Sequence, residues 1–345
     1  MVTSAPTRRS RPRLRRSDCS VPGLHRTRRG HGFSYYDVDG QKTSDPEVLE
    51  RVRGLAIPPA WKDVWICDDP WGHLQATGID AAGRKQYLYH AHWRERKDRE
   101  KFDRMVRFAQ RLPRLRRRIA GEIEGTEEPT RERILAGAVR LLDVGLFRVG
   151  SEQYADDDHG VGLATVRKDH VTIRGDATVF DYPAKGGSRR VQVIEDPLTR
   201  DLVRSLRRRR GGGHELLAYR NGRRWAAVRS DDINDYLKGQ IGSEFSAKDF
   251  RTWNATVVAA VAVAADGAEA TSKTARKRVV DHAVRGVAEL LGNTPAVARR
   301  AYIDPRVFDR YAAGATVAGA LPALDDLDDR KRARLEQAVV ALLSH

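Results

Sequence analysis

Between Phe33 and His90 apolar residues come in short runs: Tyr35, Val38, Trp65, Ile66, Leu74, Tyr87 and Leu88 lie in segments cut by Gly40, Pro58, Pro59, Pro70, Gly72, Gly78 and Gly83. Such runs between turn residues predict strands, so this region reads as a small β-rich domain. From Ala91 to Ile123 the chain becomes heavily charged, with Phe102, Met105 and Phe108 at helical spacing and Pro113 interrupting the pattern. Leu135, Ala138, Val139 and Leu142 then recur at helical steps until Gly145, which predicts an amphipathic helix packed on a second, larger core. Strand character returns over 161–194. There Val179 to Tyr182 and the pair Val191 and Val193 flank Ala184 to Ser188, predicting a hairpin with Lys185 at its tip. From Ser246 onward the pattern is helical, and Ser246 with Asp249 forms a capping signature ahead of the apolar run to Ala265. Thr294 and Pro295 make a further helix start.

These elements predict an α+β chain. A basic disordered arm is expected over 1–20, a β-rich N-terminal domain over 21–95, and a larger, mainly α domain with a small β-sheet over 96–345. With 345 residues, 40% of them apolar, two cores can be buried. No internal repeat is present.

Charge narrows the partner. Lysine and arginine number 63 against 47 acids, a net charge of +16, which favours a polyanion such as nucleic acid. Residues 1–30 hold nine arginines against one acid, Asp18, and so carry half of that net charge. No apolar stretch follows them, and the longest apolar run, Val257 to Ala265, is far short of the roughly 20 residues that span a bilayer. Cys19 and Cys67 supply neither a four-thiolate zinc site nor a disulfide framework. A cytoplasmic, membrane-free, nucleic-acid-associated protein is expected.

No Walker A loop, dinucleotide glycine fingerprint or zinc-protease helix occurs, so no nucleotide cofactor and no catalytic metal is expected. Asp156, Asp157, Asp158 and His159 are adjacent rather than on one face, and a solvated loop accounts for them better than magnesium does. Arg251 is more informative. On a helix starting after Ser246 it shares a face with Ala255, Val258 and Ala262, the side that should be buried. A buried arginine needs a carboxylate or a bound anion, and phosphate fits its planar fork. Arg148, between Phe147 and Val149, poses the same choice. Tyr302 stands near Arg299 and Arg300 and is either a packed core side chain or a functional one.

Taken together, the motifs resemble the type IB DNA topoisomerases, in particular the compact bacterial and poxvirus-like branch, from about His31 to Tyr311. In the small domain the likeness is carried by IPPAWKDVWIC (57–67), GHLQATG (72–78) and GRKQYLYH (83–90). In the large domain it is carried by LFRVGSEQY (146–154), YPAKGGSRR (182–190), KDFRTWNA (248–255) and GNTPAVARRAY (292–302). The resemblance implies the fold of topoisomerases IB and tyrosine recombinases. It further implies that Arg148 and Arg251 bind the scissile phosphate, Lys185 protonates the leaving 5′ oxygen and Tyr302 attacks phosphorus. Asn293 stands at the remaining phosphate-contacting position, where many relatives have histidine; its neutral amide can donate a hydrogen bond but cannot become charged. Lys168, in a similar turn of the preceding hairpin with strand-like Val166 and Val171 on either side, competes with Lys185 for the acid role and is otherwise a phosphate contact. Gln75, Arg84, Lys85, Gln86 and Tyr87 combine amide, cationic and aromatic groups suited to a DNA surface, with a solvated strand edge as the alternative.

Two rival functions remain. A tyrosine recombinase shares the chemistry, but typically has histidine where this chain has Lys248 and a helical rather than β-rich N-terminal domain. A nonenzymatic DNA-packaging protein would need only the basic arm. The favoured reading is a monomeric clamp on duplex DNA. Deleting residues 1–20 should weaken noncovalent DNA binding while leaving covalent cleavage intact at saturating protein; gel-shift and adduct assays on the truncated chain check this.

Overall fold

The computed structural model describes residues 13–150, 160–184, 187–321 and 328–344. The chain divides into two compact units, Met1–Lys101 and Phe102–His345.

The first unit is built on a five-stranded antiparallel sheet. Its strands are β1 (Leu24–Arg29), β2 (Gly32–Tyr36), β3 (Lys62–Ile66), β4 (Leu74–Ile79) and β5 (Lys85–Tyr89), in the spatial order β2-β1-β3-β4-β5. Helix α1 (Pro46–Gly54) begins where the Asp45 carboxylate accepts from Glu47 N, with proline at the first turn. Leu24, Val64, Ile66 and Ala76 from the sheet meet Val52 and Ile57 in a small core. Over residues 13–20 the expected disorder is overturned. Residues from 13 onward are described, and they pack on the sheet: Arg15 N donates to Trp71 O at 2.9 Å, and Ser17 Oγ donates to Leu74 O at 2.9 Å. Backbone pairing to the 71–74 segment offsets the ordering entropy that argued for a mobile arm. Residues 1–12 lie outside the described set.

Helix α2 (Ala91–Glu124) runs straight through Pro113, which the sequence reading took as an interruption. An interior proline costs about 3 kcal/mol. Leu112 and Leu115 beside it are buried at 0% and 2% exposure, and burying two such side chains returns roughly 3–6 kcal/mol, enough to keep the helix whole.

The second unit is mainly helical. After α2 come α3 (Arg131–Gly145), the antiparallel sheet β6-β7-β8 (Val171–Arg174, Ala177–Pro183, Arg189–Ile194) and α4 (Pro197–Arg208). A two-stranded ribbon, β9 (Ala218–Asn221) with β10 (Arg224–Ala227), leads to α5 (Ser230–Ile241) and α6 (Ala247–Asp266). Helices α7 (Lys273–Leu291), α8 (Pro295–Ala301), α9 (Arg306–Ala312) and α10 (Asp329–Ser344) complete it. The periodicity read over α3 is borne out: Leu135, Ala138, Val139 and Leu142 are fully buried. Trp253 and the ring cluster Phe108, Phe245 and Phe250 fill the centre of the same core. The chain thus has the α+β architecture that its sequence predicted.

Within this unit a cluster of charges is sealed from water. The Asp143 carboxylate on α3 accepts from Arg116 Nε at 2.8 Å and Arg332 Nη2 at 2.9 Å, and Arg116 also reaches Glu336 on α10 at 2.6 Å. Arg140 pairs with Asp196 at 2.6 Å. Burial pushes the Asp143 carboxyl upward, but Arg332, Arg116 and Arg140 outweigh it and hold the group below the usual carboxylate range. Asp143→Ala should lower unfolding free energy by about 3–5 kcal/mol, because it strands buried guanidinium groups; urea denaturation measures it, and a loss under 1 kcal/mol would show that water or another group takes over the pairing.

Candidate active site

Arg251, Arg148, Asn293 and Tyr302 come together around the C-terminus of α7. That helix ends at Gly292 in the left-handed conformation (φ 60°), which turns the chain back so that Asn293 N donates to Ala288 O at 2.9 Å. A helix leaves its last carbonyls without intrahelical partners and carries partial negative charge there. Arginines take these carbonyls: Arg251 Nη2 donates to Leu291 O at 2.8 Å and Arg148 Nη2 to Gly292 O at 3.1 Å.

Arg251 and Ala255 are buried, Arg251 at 3% exposure, whereas Val258 and Ala262, expected on the same buried face, are only half-buried. The Ser246 and Asp249 cap forms at the start of α6, with Ser246 N donating to the Asp249 carboxylate at 2.8 Å. The alternative of a buried salt bridge is not realised among the described residues. Arg251 donates to the carbonyls of Leu146 and Leu291, and its Nε, though buried, has no partner there. Burial lowers its proton affinity to about 10, helped by the charges of Arg148 and Arg190 and opposed by Tyr302, so it stays charged at neutral pH.

Arg148 follows the end of α3. Gly145 allows Phe147 and Ile194 to approach where a side chain would clash, and Leu146 takes a left-handed conformation (φ 56°) that costs a non-glycine residue of order 1–3 kcal/mol. That reversal aims the Leu146 carbonyl at Arg251. The backbone at Arg148 and Val149 is tied down by Leu163 N and Ala164 N, each at 2.8 Å. The Arg148 guanidinium also donates to Asn293 Oδ1 at 2.9 Å, which fixes the amide's orientation and leaves the buried Asn293 Nδ2 without a partner among the described residues.

Tyr302 caps α8, which starts at Thr294 and Pro295 as expected. The buried Thr256 hydroxyl on α6 accepts from Asp304 N at 3.1 Å and lies 3.3 Å from Tyr302 O, so α6 sets the nucleophile candidate's backbone as well as Arg251. The Arg251 guanidinium carbon stands 5.5 Å from the centre of the Tyr302 ring. Burial would raise the phenol's pKa; the charges of Arg251, Lys248 and Arg148 overcome this and bring it below the ordinary tyrosine value.

Other sequence candidates fare differently. Lys185 lies outside the described residues, as do Asp156 to His159. Lys168 does not sit in a hairpin turn: it begins a 3₁₀ turn ahead of β6, its backbone N–H held by His214 O at 2.9 Å, while the β6-β7 turn falls at Gly175 and Asp176. Gln75 is corrected outright. It is 3% exposed, its Nε2 faces the carbonyls of Asp69, Pro70 and Gly72, and its Oε1 accepts from Arg51, so it braces a loop and cannot meet DNA. Arg84 and Gln86 are both held by the Asp80 carboxylate, at 3.1 and 2.9 Å. Lys85 and Tyr87 are exposed, and Tyr87 stacks on Tyr89, an i, i+2 neighbour that the alternation along β5 could have identified. Arg190 and the Lys248 charge near Tyr302 were missed as site groups; nothing in their spacing marks them, since it is β8 pairing and the start of α6 that bring them close.

A family model described as the eukaryotic DNA topoisomerase I catalytic core matches residues 90–336, and one described as the bacterial DNA topoisomerase IB N-terminal domain matches residues 32–80. The chain is 29% identical to DNA topoisomerase 1B of Acanthamoeba polyphaga mimivirus over 300 residues, 84% of this chain and 88% of that relative. It is 21% identical to DNA topoisomerase I of Monkeypox virus over 76% of this chain and 81% of the viral protein. DNA topoisomerase 1 of Schizosaccharomyces pombe is 31% identical over 131 residues, 37% of this chain and 15% of the yeast protein.

The arginines around Tyr302 make its ionisation measurable. Subtracting the ultraviolet pH titration of Tyr302→Phe from that of the unmutated chain should reveal one phenol ionising below about 10, and in an Arg251→Gln background that phenol should titrate at higher pH. An unchanged titration in Arg251→Gln would mean that Arg251 does not tune the phenol.

Proposed function

This chain belongs to the type IB DNA topoisomerase family, and from that premise we propose that it relaxes supercoiled duplex DNA by cutting and rejoining one strand through Tyr302. The observation that carries this reading is the group of buried and half-buried arginines that, among the described residues, meet backbone carbonyls, an amide and the tyrosine itself but no carboxylate, a polar cradle with positive charge to spare.

In the proposed reaction the Tyr302 hydroxyl loses its proton to water as its oxygen bonds to phosphorus, and the bond from phosphorus to the 5′ oxygen breaks. Lys185 gives the 5′ oxygen its proton. The DNA 3′ phosphate is left esterified to Tyr302. Negative charge grows on the nonbridging oxygens during attack, and fixed donors stabilise it without reorganising. Arg148 and Arg251 fill that role, and Asn293 Nδ2 supplies a neutral donor. A pKa already lowered by neighbouring guanidinium groups reduces the cost of forming the phenolate. The phosphotyrosine keeps the energy of the broken diester, so the 5′ hydroxyl reseals the strand by reversing the step, with neither ATP nor metal required. Between the two steps the free end rotates and supercoils are lost.

The β5 face with Lys85 and the stacked Tyr87 and Tyr89 is the proposed DNA surface of the first unit, where a cation and flat rings meet phosphates and bases. The duplex is the proposed partner, and a monomer suffices.

Relaxation of supercoiled plasmid in chelator and without ATP tests the reading. The unmutated chain should relax the plasmid and, after denaturant quenching, carry a 3′ phosphotyrosyl adduct. Tyr302→Phe should do neither while binding DNA with unchanged affinity. An adduct that persists in Tyr302→Phe would assign the chemistry to another residue.

A further inference from the structure

One more guanidinium reaches the turn that holds Arg148 and Arg251. Arg190 lies on β8 opposite Tyr182 of β7, and its Nη2 donates to Leu290 O. Its Nη1 comes so near Gly292 that a Cβ built there would stand 2.9 Å away, and the left-handed glycine leaves that space free. Three arginines from three different elements thus donate to three consecutive carbonyls: Arg190 to Leu290, Arg251 to Leu291 and Arg148 to Gly292. None of the three pairs with a carboxylate among the described residues. The charge of Arg190 reaches further into the site: it counts among those that weaken the proton's hold on Arg251, and it opposes the upward push that burial gives the Tyr182 phenol.

Like charges gathered on carbonyl oxygens are unfavourable until an anion arrives. A phosphodiester brings one negative charge, and attack by a phenolate brings a second. Arg148 and Arg251 match that total only if both stay fully engaged, while Asn293, the remaining donor, contributes no charge. Arg190 is half-exposed and held only by neutral partners, the Leu290 carbonyl and the Tyr182 hydroxyl, so it can exchange one of them for a phosphate oxygen.

We propose that Arg190 is a third phosphate-binding cation of this site, contacting a nonbridging oxygen of the scissile phosphate beside Asn293 and supplying the charge that the asparagine lacks. The inference rests on the proposed strand-cleavage reading. It assigns a direct contact with the reacting group, so the loss of Arg190 should fall on the chemical step more than on DNA affinity.

Single-turnover cleavage of a duplex oligonucleotide at saturating protein, with DNA affinity and thermal midpoint measured on the same variants, tests it. Arg190→Gln should cleave about 100-fold or more slowly with DNA affinity little changed, and Arg190→Lys, which keeps the charge, should retain much of the rate. Adding Asn293→His to Arg190→Gln should restore cleavage at pH values below about 6.5, where the imidazole is charged, with the recovery fading as pH rises. A residue that merely braces the turn would give no such pH profile. Arg190→Gln that cleaves like the unmutated chain would overturn the inference while leaving the Tyr302 reading intact. So would a slow variant that Asn293→His fails to rescue at any pH. An unmutated chain that forms no adduct would overturn both.

Discussion

A guanidinium cannot be buried at neutral pH without something negative or strongly polar to receive its protons, and the second unit is organised around that requirement at Arg251. Its solution is the end of a helix. The terminal carbonyls of α7 present lone pairs and partial negative charge, and the left-handed Gly292 bends the chain away so that cations can approach. The energy released is enough to keep Arg251 inside, but it is weaker than pairing with a carboxylate. A site that binds its arginines only moderately can hand them to phosphate. A carboxylate in the same place would hold them more tightly and would repel the DNA.

The supports behind the site use the opposite strategy. Around Asp143 every guanidinium is matched by a carboxylate, and the cluster links α2, α3 and α10. Asn254 Nδ2 donates to the Asp143 carbonyl at 2.8 Å, one turn of α6 beyond Arg251, and Arg148 lies just past the end of α3, five residues after Asp143. Neutralised charge therefore fixes the two elements that carry the unneutralised charge. The strained Leu146 lies between the two, as a conformation held by its surroundings can.

The sequence made legible those features that depend on local periodicity. The burial of Arg251, the hairpin of β7 and β8, the caps at Ser246 and Thr294 and the division into a β-rich and a mainly α part all follow from spacing within one element. What it concealed depends on pairing between distant elements. Gln75 looks like a DNA reader until the loop over 69–72 folds back on its amide; Lys168 mimics a hairpin residue until the strand register is known. Pro113 breaks helices on average, and only the burial of its neighbours shows why this one does not. Arg190 was hidden in a run of two arginines on a strand, because the carbonyl that singles it out belongs to a helix a hundred residues later.

The route of the chain through the site also orders events during synthesis. The element bearing Arg148 leaves the ribosome first, then Arg190, Arg251 and the carbonyls at the end of α7, and only afterwards Tyr302 on α8. Arg332 and Glu336, which complete the charge cluster behind Arg148, come later still, on α10. On the proposed reading, the phosphate ligands thus emerge before the nucleophile, and the nucleophile emerges before the α10 residues behind Arg148. On the proposed reading, a nascent chain that has not yet reached Tyr302 holds groups that bind phosphate and none that opens a strand.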